Sequence, residues 1–416
     1  MPVIVLDPGH GGENLGGEYG NFTEKNITPI VANAMKEQLE KYDDVTVYLT
    51  HEQDVDMSLK ERADFAQSVH ADFLFCLHFN LSVNHNLFGA EVWVPSTGEY
   101  YSKGYSFAEI QMQEMTDLGI YSRGIKTKLN DRGTDYYGIL RECTADGVPS
   151  ALIEHCHMDH HKDAFALANG EESYKELGRR DAEAVAKYFG LHSTELGVDY
   201  SDYQVSDIAI PTEAVRPDDS EPEVNEIELV SLDPELGKAT IRMKASDSNS
   251  YIQYYMYSLD GGNTYSELME WPRPEVWNKS DEEMEFECEV PYDKPIEIRT
   301  AAYNGFDMFT ESNCISVEAI PDPERLRLEE EQRLLEEAQK AQEEQEDTTL
   351  EQSDTETMEY QEVIAQTDGT QQQGVSSKPS AGILAVTIFG IVVLITLLMF
   401  ILAKNLRRLK RRNKRH

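Results

Sequence analysis

Short apolar runs alternate with helical patterns over residues 1–191, and no other feature of the chain constrains its fold as strongly. In residues 24–42, for example, the apolar side chains share one helix face. Strands that alternate with helices predict an α/β fold, with a twisted, largely parallel sheet and helices on both faces. The predicted strands are 2–6, 45–49, 72–78, 90–94 and 151–154, and the predicted helices are 24–42, 59–69, 105–118 and 174–189.

The pattern changes after residue 191. Residues 192–222 are polar and contain Pro211 and Pro217, which is typical of a linker. Residues 223–320 then alternate like exposed strands, with the turn Asp260-Gly261-Gly262-Asn263 between two of them. We therefore predict a small, immunoglobulin-like antiparallel β-sandwich over 223–320.

Two polar segments follow the predicted sandwich. Residues 324–346 are rich in Glu, Gln and Leu and contain neither Gly nor Pro, so we predict an acidic helical stalk over 321–347. Residues 348–380 are rich in Thr, Gln, Glu and Ser, a composition that predicts a disordered tether.

The C-terminal region has the pattern of a membrane anchor. Residues 381–403 carry no charge, and at ~1.5 Å per residue a helix of this length crosses a bilayer core of ~30 Å. The basic tail 404–416 predicts a cytoplasmic C-terminus and an extracellular body, in a single-pass protein of the cell membrane. No signal peptide is visible after Met1, so we expect an upstream segment to direct export; the alternative is an intracellular, membrane-tethered protein.

Charge and cysteine content narrow the possible partners. The net charge of −40 repels polyanions, so we expect no nucleic-acid partner. The five cysteines form no CxxC pair. Cys288 and Cys314 fall in the predicted sandwich and could form a disulfide, although two unpaired thiols are the favoured interpretation. The sequence does not indicate the oligomeric state.

Polar side chains follow three predicted strands of the first domain at corresponding places. His10 lies in the glycine-rich stretch after the first strand, His78 ends another strand, and Glu154 ends a third. Ligands of open α/β sheets bind outside the carboxyl ends of the strands, so we expect these residues to converge there. Glu24, in the first turn of the next helix, lies on the same rim.

These residue types fit a zinc hydrolase. Two imidazoles and one carboxylate, here His10, His78 and Glu24, are a common zinc set with a fourth position open for water. A second carboxylate must accept the proton of that water, and Glu154 suits this role. Taken singly, each residue has a simpler interpretation, because strand-end histidines are commonly structural and a glutamate at a helix start stabilises the helix dipole.

The ordered motifs of residues 2–190 resemble the amidase-3 family of N-acetylmuramoyl-L-alanine amidases. The motifs are Asp7-Pro8-Gly9-His10-Gly11-Gly12, Glu24 in Thr23-Glu24-Lys25-Asn26, Leu59-x-x-Arg62, Gly89-x-Glu91, His78-Phe79-Asn80 and Ala151-Leu152-Ile153-Glu154. The resemblance implies that His10, Glu24 and His78 bind Zn²⁺ and that Glu154 is the catalytic base. It also implies hydrolysis of the amide between N-acetylmuramic acid and L-alanine, with peptidoglycan as the partner.

The sequence departs from the family pattern in three places. Cys76 stands where serine is usual, His51 stands where arginine is usual, and four histidines follow Glu154 within residues 155–161. These histidines could form a second metal site, but solvated loop histidines are the favoured interpretation. Two functional alternatives remain open: a zinc hydrolase of another amide, and a non-catalytic wall-binding surface protein.

Overall fold

A six-stranded mixed sheet organises the first domain of the computed structural model, which describes residues 1–272 and 279–365. The strands of this domain are β1 (Val3–Pro8), β2 (Glu18–Tyr19), β3 (Phe22–Thr23), β4 (Thr46–Leu49), β5 (Phe73–Asn80), β6 (Ala90–Trp93), β7 (Ser122–Lys126), β8 (Ser150–His157), β9 (His192–Ser193) and β10 (Val198–Asp199). The helices are α1 (Glu24–Leu39), α2 (Leu59–Ser68), α3 (Gly98–Asp117), α4 (Gly138–Ala145) and α5 (Glu171–Phe189), with a 3-10 turn at Ala164–Leu167.

The strand order of the main sheet is β4-β1-β5-β8-β6-β7. Only β6 and β8 pair antiparallel, whereas the other neighbours in this sheet are parallel. The largely parallel α/β sheet is therefore confirmed, with one antiparallel junction. That junction sets the start of β6 beside the end of β8, because Glu91 and Glu154 are cross-strand neighbours.

Two hydrophobic cores cover the two faces of this sheet, as expected for helices on both sides. Phe73 and Phe75 of β5 contribute to the core beneath α1, α3 and α5. Leu74 and Cys76 point the other way, into the core beneath α2 and α4. Because side chains alternate along a strand, His78 lies on the α2/α4 face.

The predicted linker, residues 192–222, includes β9 and β10 and then continues as an ordered segment along α3. The hydroxyl groups of Ser102 and Ser106 donate hydrogen bonds to the carbonyl oxygens of Ile208 and Ser206. The amide of Val215 donates to the Ser96 carbonyl oxygen at 2.8 Å. These contacts hold the predicted linker against the first domain.

Two antiparallel sheets make up the second domain. Its strands are β11 (Val224–Asp233), β12 (Lys238–Ser246), β13 (Ile252–Ser258), β14 (Met269–Glu270), β15 (Glu283–Glu289), β16 (Ile296–Asn304), β17 (Phe309–Glu311) and β18 (Ile315–Val317). One sheet has the order β11-β12-β15, and the other the order β14-β13-β16-β17 with β18 also on β16. Ile241 and Ile298, one from each sheet, share one core. The specific immunoglobulin-like assignment stays a prediction, and Cys288 and Cys314 are free thiols.

The last described element is α6 (Pro323–Ala365). It passes the end predicted for the stalk at residue 347, so residues 348–365 are helical where we predicted disorder. The physical reason is composition, because residues 348–365 contain no Gly or Pro that would interrupt a helix. The rest of the predicted tether, the predicted transmembrane helix 381–403 and the basic tail 404–416 lie outside the described residues. Within the described part of the chain, no helix is both long and apolar enough to cross a membrane.

The packing of α5 on α1 depends on Gly178. A Cβ atom there would lie 2.3 Å from the Val31 carbonyl oxygen and 2.9 Å from the Met35 amide nitrogen, which are backbone atoms that cannot rotate away. Alanine normally favours a helix over glycine by about 1 kcal/mol. We expect the clash to reverse that sign, so that Gly178→Ala lowers the free energy of unfolding by about 1–2 kcal/mol in urea denaturation.

Gly138→Ala is the matched control for this prediction. Its Cβ atom would meet mainly the tip of the Leu59 side chain, which can move. We expect this variant to stay within about 0.5 kcal/mol of the wild type. A Gly178→Ala protein as stable as the wild type would contradict the close approach of the two helices.

Candidate metal centre

The sheet and α1 bring His10, Glu24 and His78 together at one point. Their ligand atoms all lie within 4.8 Å of one another. His10 Nε2 is 2.9 Å from Glu24 Oε2, and His78 Nδ1 is 2.9 Å from Glu24 Oε1. The two imidazole rings meet edge to face with their centroids 4.8 Å apart. The structure thus assembles the three residues that the sequence predicted as metal ligands.

The carboxylate of Glu24 is the centre of this cluster. It is 3% exposed, and its two oxygens also accept hydrogen bonds from the backbone amides of Gly17 and Phe79, at 2.8 and 2.9 Å. Burial opposes ionisation, but the hydrogen bonds and charges of the two histidines outweigh it and hold the pKa of Glu24 well below its ordinary value. The carboxylate is therefore ionised at neutral pH, as a metal ligand must be.

Gly9 and Gly16 make room for the cluster because they have no side chain. A Cβ atom on Gly9 would lie 2.3 Å from Cε1 of His78, and a Cβ atom on Gly16 would lie 2.6 Å from Oε2 of Glu24. Gly16 also has φ +71°, which disfavours larger residues. His10 adopts φ +68°, so a non-glycine residue bears unusual backbone geometry at the centre of the site.

A buried ion pair supports the backbone around His10. Asp7 and Arg62 are 1% and 4% exposed, and Arg62 Nη1 donates to Asp7 Oδ1 at 2.7 Å. Arg62 Nη2 donates to the His10 carbonyl oxygen at 2.7 Å. The guanidinium therefore ties the end of β1 to the loop that carries the first ligand. The sequence drew attention to Asp7 and Arg62 as motif residues but did not reveal that they pair.

Glu154 lies beside the cluster on the same face of the sheet. It is the register partner of His78 across β5 and β8, and adjacent register partners project to the same side. Glu154 is 8% exposed, and its Oε2 atom is buried without a hydrogen-bond partner among the described residues. Burial, together with the carboxylates of Glu24 and Glu91, raises its pKa well above the ordinary value. Such a carboxyl group is suited to accept a proton.

Sequence reasoning missed a second buried network around Glu91. This carboxylate accepts hydrogen bonds from Asn80 and Trp93 on one oxygen, and from Arg123 and Lys126 on the other. Burial opposes its ionisation, but the two cations hold the pKa of Glu91 well below its ordinary value. The sequence Ser-Arg-Gly-Ile-Lys of β7 was not predicted as a strand, because two charged residues and a glycine are unusual in a buried strand.

The favoured interpretation of the histidines after Glu154 as solvated loop residues is wrong for three of the four. His155, His157 and His160 are at most 6% exposed. His155 lies between the His78 carbonyl oxygen and Asp181, at 2.8 Å from each, and His160 stacks on Phe88. Over the described ranges, the only cluster with metal-ligand geometry is the one at Glu24. These histidines are therefore structural.

An α/β domain with a His–Glu–His cluster around a buried carboxylate, and an unpaired carboxyl oxygen beside it, belongs to the class of candidate metallohydrolases. Residues 4–187 match the family model described as N-acetylmuramoyl-L-alanine amidase. This domain therefore belongs to the N-acetylmuramoyl-L-alanine amidase family.

The chain is also similar to individual proteins. The chain is 28% identical over 191 residues to an endolysin of Bacillus phage SPP1, covering 45% of this chain and 66% of the endolysin. It is 27% identical over 218 residues to the N-acetylmuramoyl-L-alanine amidase CwlM of Bacillus licheniformis, covering 51% of this chain and 78% of CwlM. Among solved structures, Cwp6 from Clostridium difficile aligns with a TM-score of 0.42 and 27% identity, over 45% of this chain and 29% of Cwp6.

The buried imidazole of His157 predicts a loss of stability in acid. Burial first, and then the charge of Arg123, lower its pKa from 6.5 to about 4. Because the folded state favours the neutral form of His157, this group stabilises the fold above pH 6.5. That contribution is lost as the pH falls toward 4. We expect the wild type to lose on the order of 1–2 kcal/mol through this group between pH 7.5 and pH 5.

His157→Gln isolates this contribution. Urea denaturation of both proteins at pH 7.5 and pH 5 should show a smaller pH-dependent loss in the variant, whatever its stability at pH 7.5. Equal losses in the two proteins would show that protonation of His157 does not limit stability in acid.

Proposed function

We propose that this chain hydrolyses the amide bond between N-acetylmuramic acid and L-alanine in peptidoglycan, with zinc bound by His10, Glu24 and His78. The observation that carries this proposal is the unpaired, buried Oε2 atom of Glu154 beside a three-ligand cluster on the same sheet face. The substrate comes from the family description and from the names of the relatives.

The donor set fits zinc. Two imidazole nitrogens and one carboxylate oxygen leave a tetrahedral ion one open position, which is the arrangement of catalytic zinc sites. When bound, zinc would polarise the amide carbonyl and lower the pKa of the hydrolytic water. The buried and ionised carboxylate of Glu24 balances the charge of such an ion.

Glu154 moves the proton in the proposed reaction. Its carboxylate accepts a proton from the attacking water, whose oxygen bonds to the lactyl carbonyl carbon. The carbon–nitrogen bond then breaks, and Glu154 returns the proton to the departing amine of L-alanine. The products are a glycan with a free lactyl carboxylate and a stem peptide with a free N-terminus. The raised pKa of Glu154 favours the first transfer.

Digestion of purified muropeptides, followed by mass spectrometry, tests the substrate assignment. We expect separated stem peptides that begin with L-alanine. Cleavage inside the stem peptide would indicate a zinc peptidase instead. Wall binding without any cleavage would indicate a non-catalytic surface protein.

We propose that the enzyme acts outside the cell, tethered to the cell membrane by residues 381–403 with residues 404–416 in the cytoplasm. The support is the uncharged segment and the basic tail in the sequence. Protease treatment of intact cells should digest the second domain, whereas protection until lysis would indicate an intracellular location.

Glu154→Gln tests the role of the base. The amide keeps the size of the side chain but cannot accept the proton, so we expect kcat to fall by roughly 10²–10⁴-fold. Zinc content should equal that of the wild type, because Glu154 is not among the ligands. The measurement is release of stem peptide per bound zinc.

Glu142→Gln makes the same chemical change on α4, where Glu142 pairs with Arg141 at 3.8 Å. This control should keep full activity. A Glu154→Gln protein that bound zinc and retained the wild-type kcat would refute the mechanism.

A further inference from the structure

The second domain packs directly against the wall of the catalytic domain. Phe88 from the loop before β6, Tyr254 of β13 and Leu268 form a small buried cluster between the two domains, with Phe88 and Tyr254 fully buried. The Tyr254 hydroxyl donates to the Phe88 carbonyl oxygen, and the Tyr251 hydroxyl donates to the Arg123 carbonyl oxygen. Both acceptors are backbone atoms of the catalytic domain, so the contact has a fixed register.

Arg123 of β7 connects the two domains through its side chain. It is 3% exposed. On the side of the catalytic domain, its Nε atom donates to Glu91 Oε2 at 2.8 Å. On the other side, Nη1 donates to the Tyr254 hydroxyl at 3.1 Å and Nη2 to Asp307 Oδ2 at 3.0 Å. The planar guanidinium therefore has its orientation set by groups of the second domain.

Glu91 links Arg123 to the candidate site. Its Oε1 atom accepts a hydrogen bond from Asn80 Nδ2 at 2.8 Å, and Asn80 lies two residues beyond His78 on β5. Glu91 is also the cross-strand neighbour of Glu154. Contacts thus run without a gap from Asp307 through Arg123 and Glu91 to the strands that carry a metal ligand and the base.

The buried charges of Glu91, Arg123 and Lys126 are balanced by one another and by Asp307. Glu91 is fully buried between Arg123 and Lys126, at 2.8 and 2.9 Å. Arg123 in turn has Asp307 as its second anionic partner. The Asp307 side chain is 37% exposed, but the guanidinium that it pairs with is buried, so removing Asp307 leaves part of a buried charge uncompensated. Loss of Asp307 would therefore alter the position of the guanidinium and of the Glu91 carboxylate that it holds.

We propose that the second domain is a positioning part of the amidase, in which Asp307 and Tyr254 fix Arg123 and so hold Glu91, Asn80 and the strand of Glu154 in place for catalysis. This inference rests on the proposed function. It assigns the two-sheet domain a role in turnover that a spacer would not have. Asp307 and Tyr254 are positioning residues, because they act through Arg123.

Asp307→Asn in the full chain tests the proposal. Asparagine keeps the shape of the side chain and tolerates the φ of +66° at this position, but it removes the charge that holds Arg123. We expect kcat per bound zinc to fall by roughly 10-fold, the effect typical of losing a residue that orients a metal site. KM and zinc content should not change, because Asp307 is not among the candidate metal ligands and, in this proposal, acts through Arg123.

Glu270→Gln is the matched control at the same interface. Glu270 of β14 pairs with Lys162 of the catalytic domain at 3.6 Å, and its side chain is 53% exposed. This pair does not reach Glu91, so the variant should keep the wild-type kcat. A loss of kcat equal to that of Asp307→Asn would mean that any weakening of the interface suffices, and would overturn the specific role of Arg123.

A double-mutant cycle separates positioning from general stability. Tyr254→Phe keeps the ring in the interface cluster but removes the hydrogen bond from Arg123, together with the one that the hydroxyl donates to the Phe88 carbonyl oxygen. Because Asp307 and Tyr254 act on one guanidinium, the two changes should be non-additive in kcat, whereas Asp307→Asn should add independently to Glu270→Gln. A wild-type protein that released no stem peptide would count against the proposed function. An Asp307→Asn protein with wild-type kcat would overturn this inference alone.

Discussion

The carboxylate of Glu24, buried between two imidazoles and two backbone amides, is the interaction on which the candidate site depends. A buried carboxylate is costly unless its oxygens are satisfied, and here four donors converge on it. His10 comes from the loop after β1, His78 from the end of β5 and Glu24 from the start of α1. The site can therefore form only when the sheet and α1 pack together.

Other buried charged side chains near the candidate site also have partners of opposite charge. Asp7 pairs with Arg62 beneath the loop of His10, and Glu91 pairs with Arg123 and Lys126 beside Glu154. Glu154 differs from these groups, since its Oε2 atom is buried without a hydrogen-bond partner within the described residues, as are Oε2 of Glu109 and Oδ1 of Asp159. Because Glu154 is also the register partner of His78 across the sheet, we propose it as the group that transfers the proton.

The sequence predicted the catalytic domain well where periodicity is strong. Helix Glu24–Leu39 and strand Phe73–Asn80 lie within a few residues of their predicted bounds, because apolar spacing decides such elements. The proximity of His10, Glu24, His78 and Glu154 was also expected, because they lie at strand ends and at a helix start on one rim of the sheet, and because their motifs resemble a known family. The three ligands meet as expected.

The failures have physical causes as well. Strand Ser122–Lys126 was missed because its arginine and lysine are buried through partners distant in sequence, which no local pattern records. The histidines after Glu154 were assigned to solvent for the same reason, since Asp181 and Phe88 bury them from elsewhere in the chain. The role of Asp307 depends on contacts between two domains and could not be seen in the sequence.

X-ray absorption spectroscopy of the zinc-loaded protein tests the central claim most directly, because it reads the ligands without relying on activity. The account predicts one zinc per chain with a shell of nitrogen and oxygen at about 2.0–2.2 Å, including scattering from two imidazoles. That signal should be lost in a His10→Ala, His78→Ala protein. A zinc–sulfur shell at about 2.3 Å, or a zinc signal unchanged by the loss of both histidines, would contradict the assignment of His10, Glu24 and His78 as the metal centre.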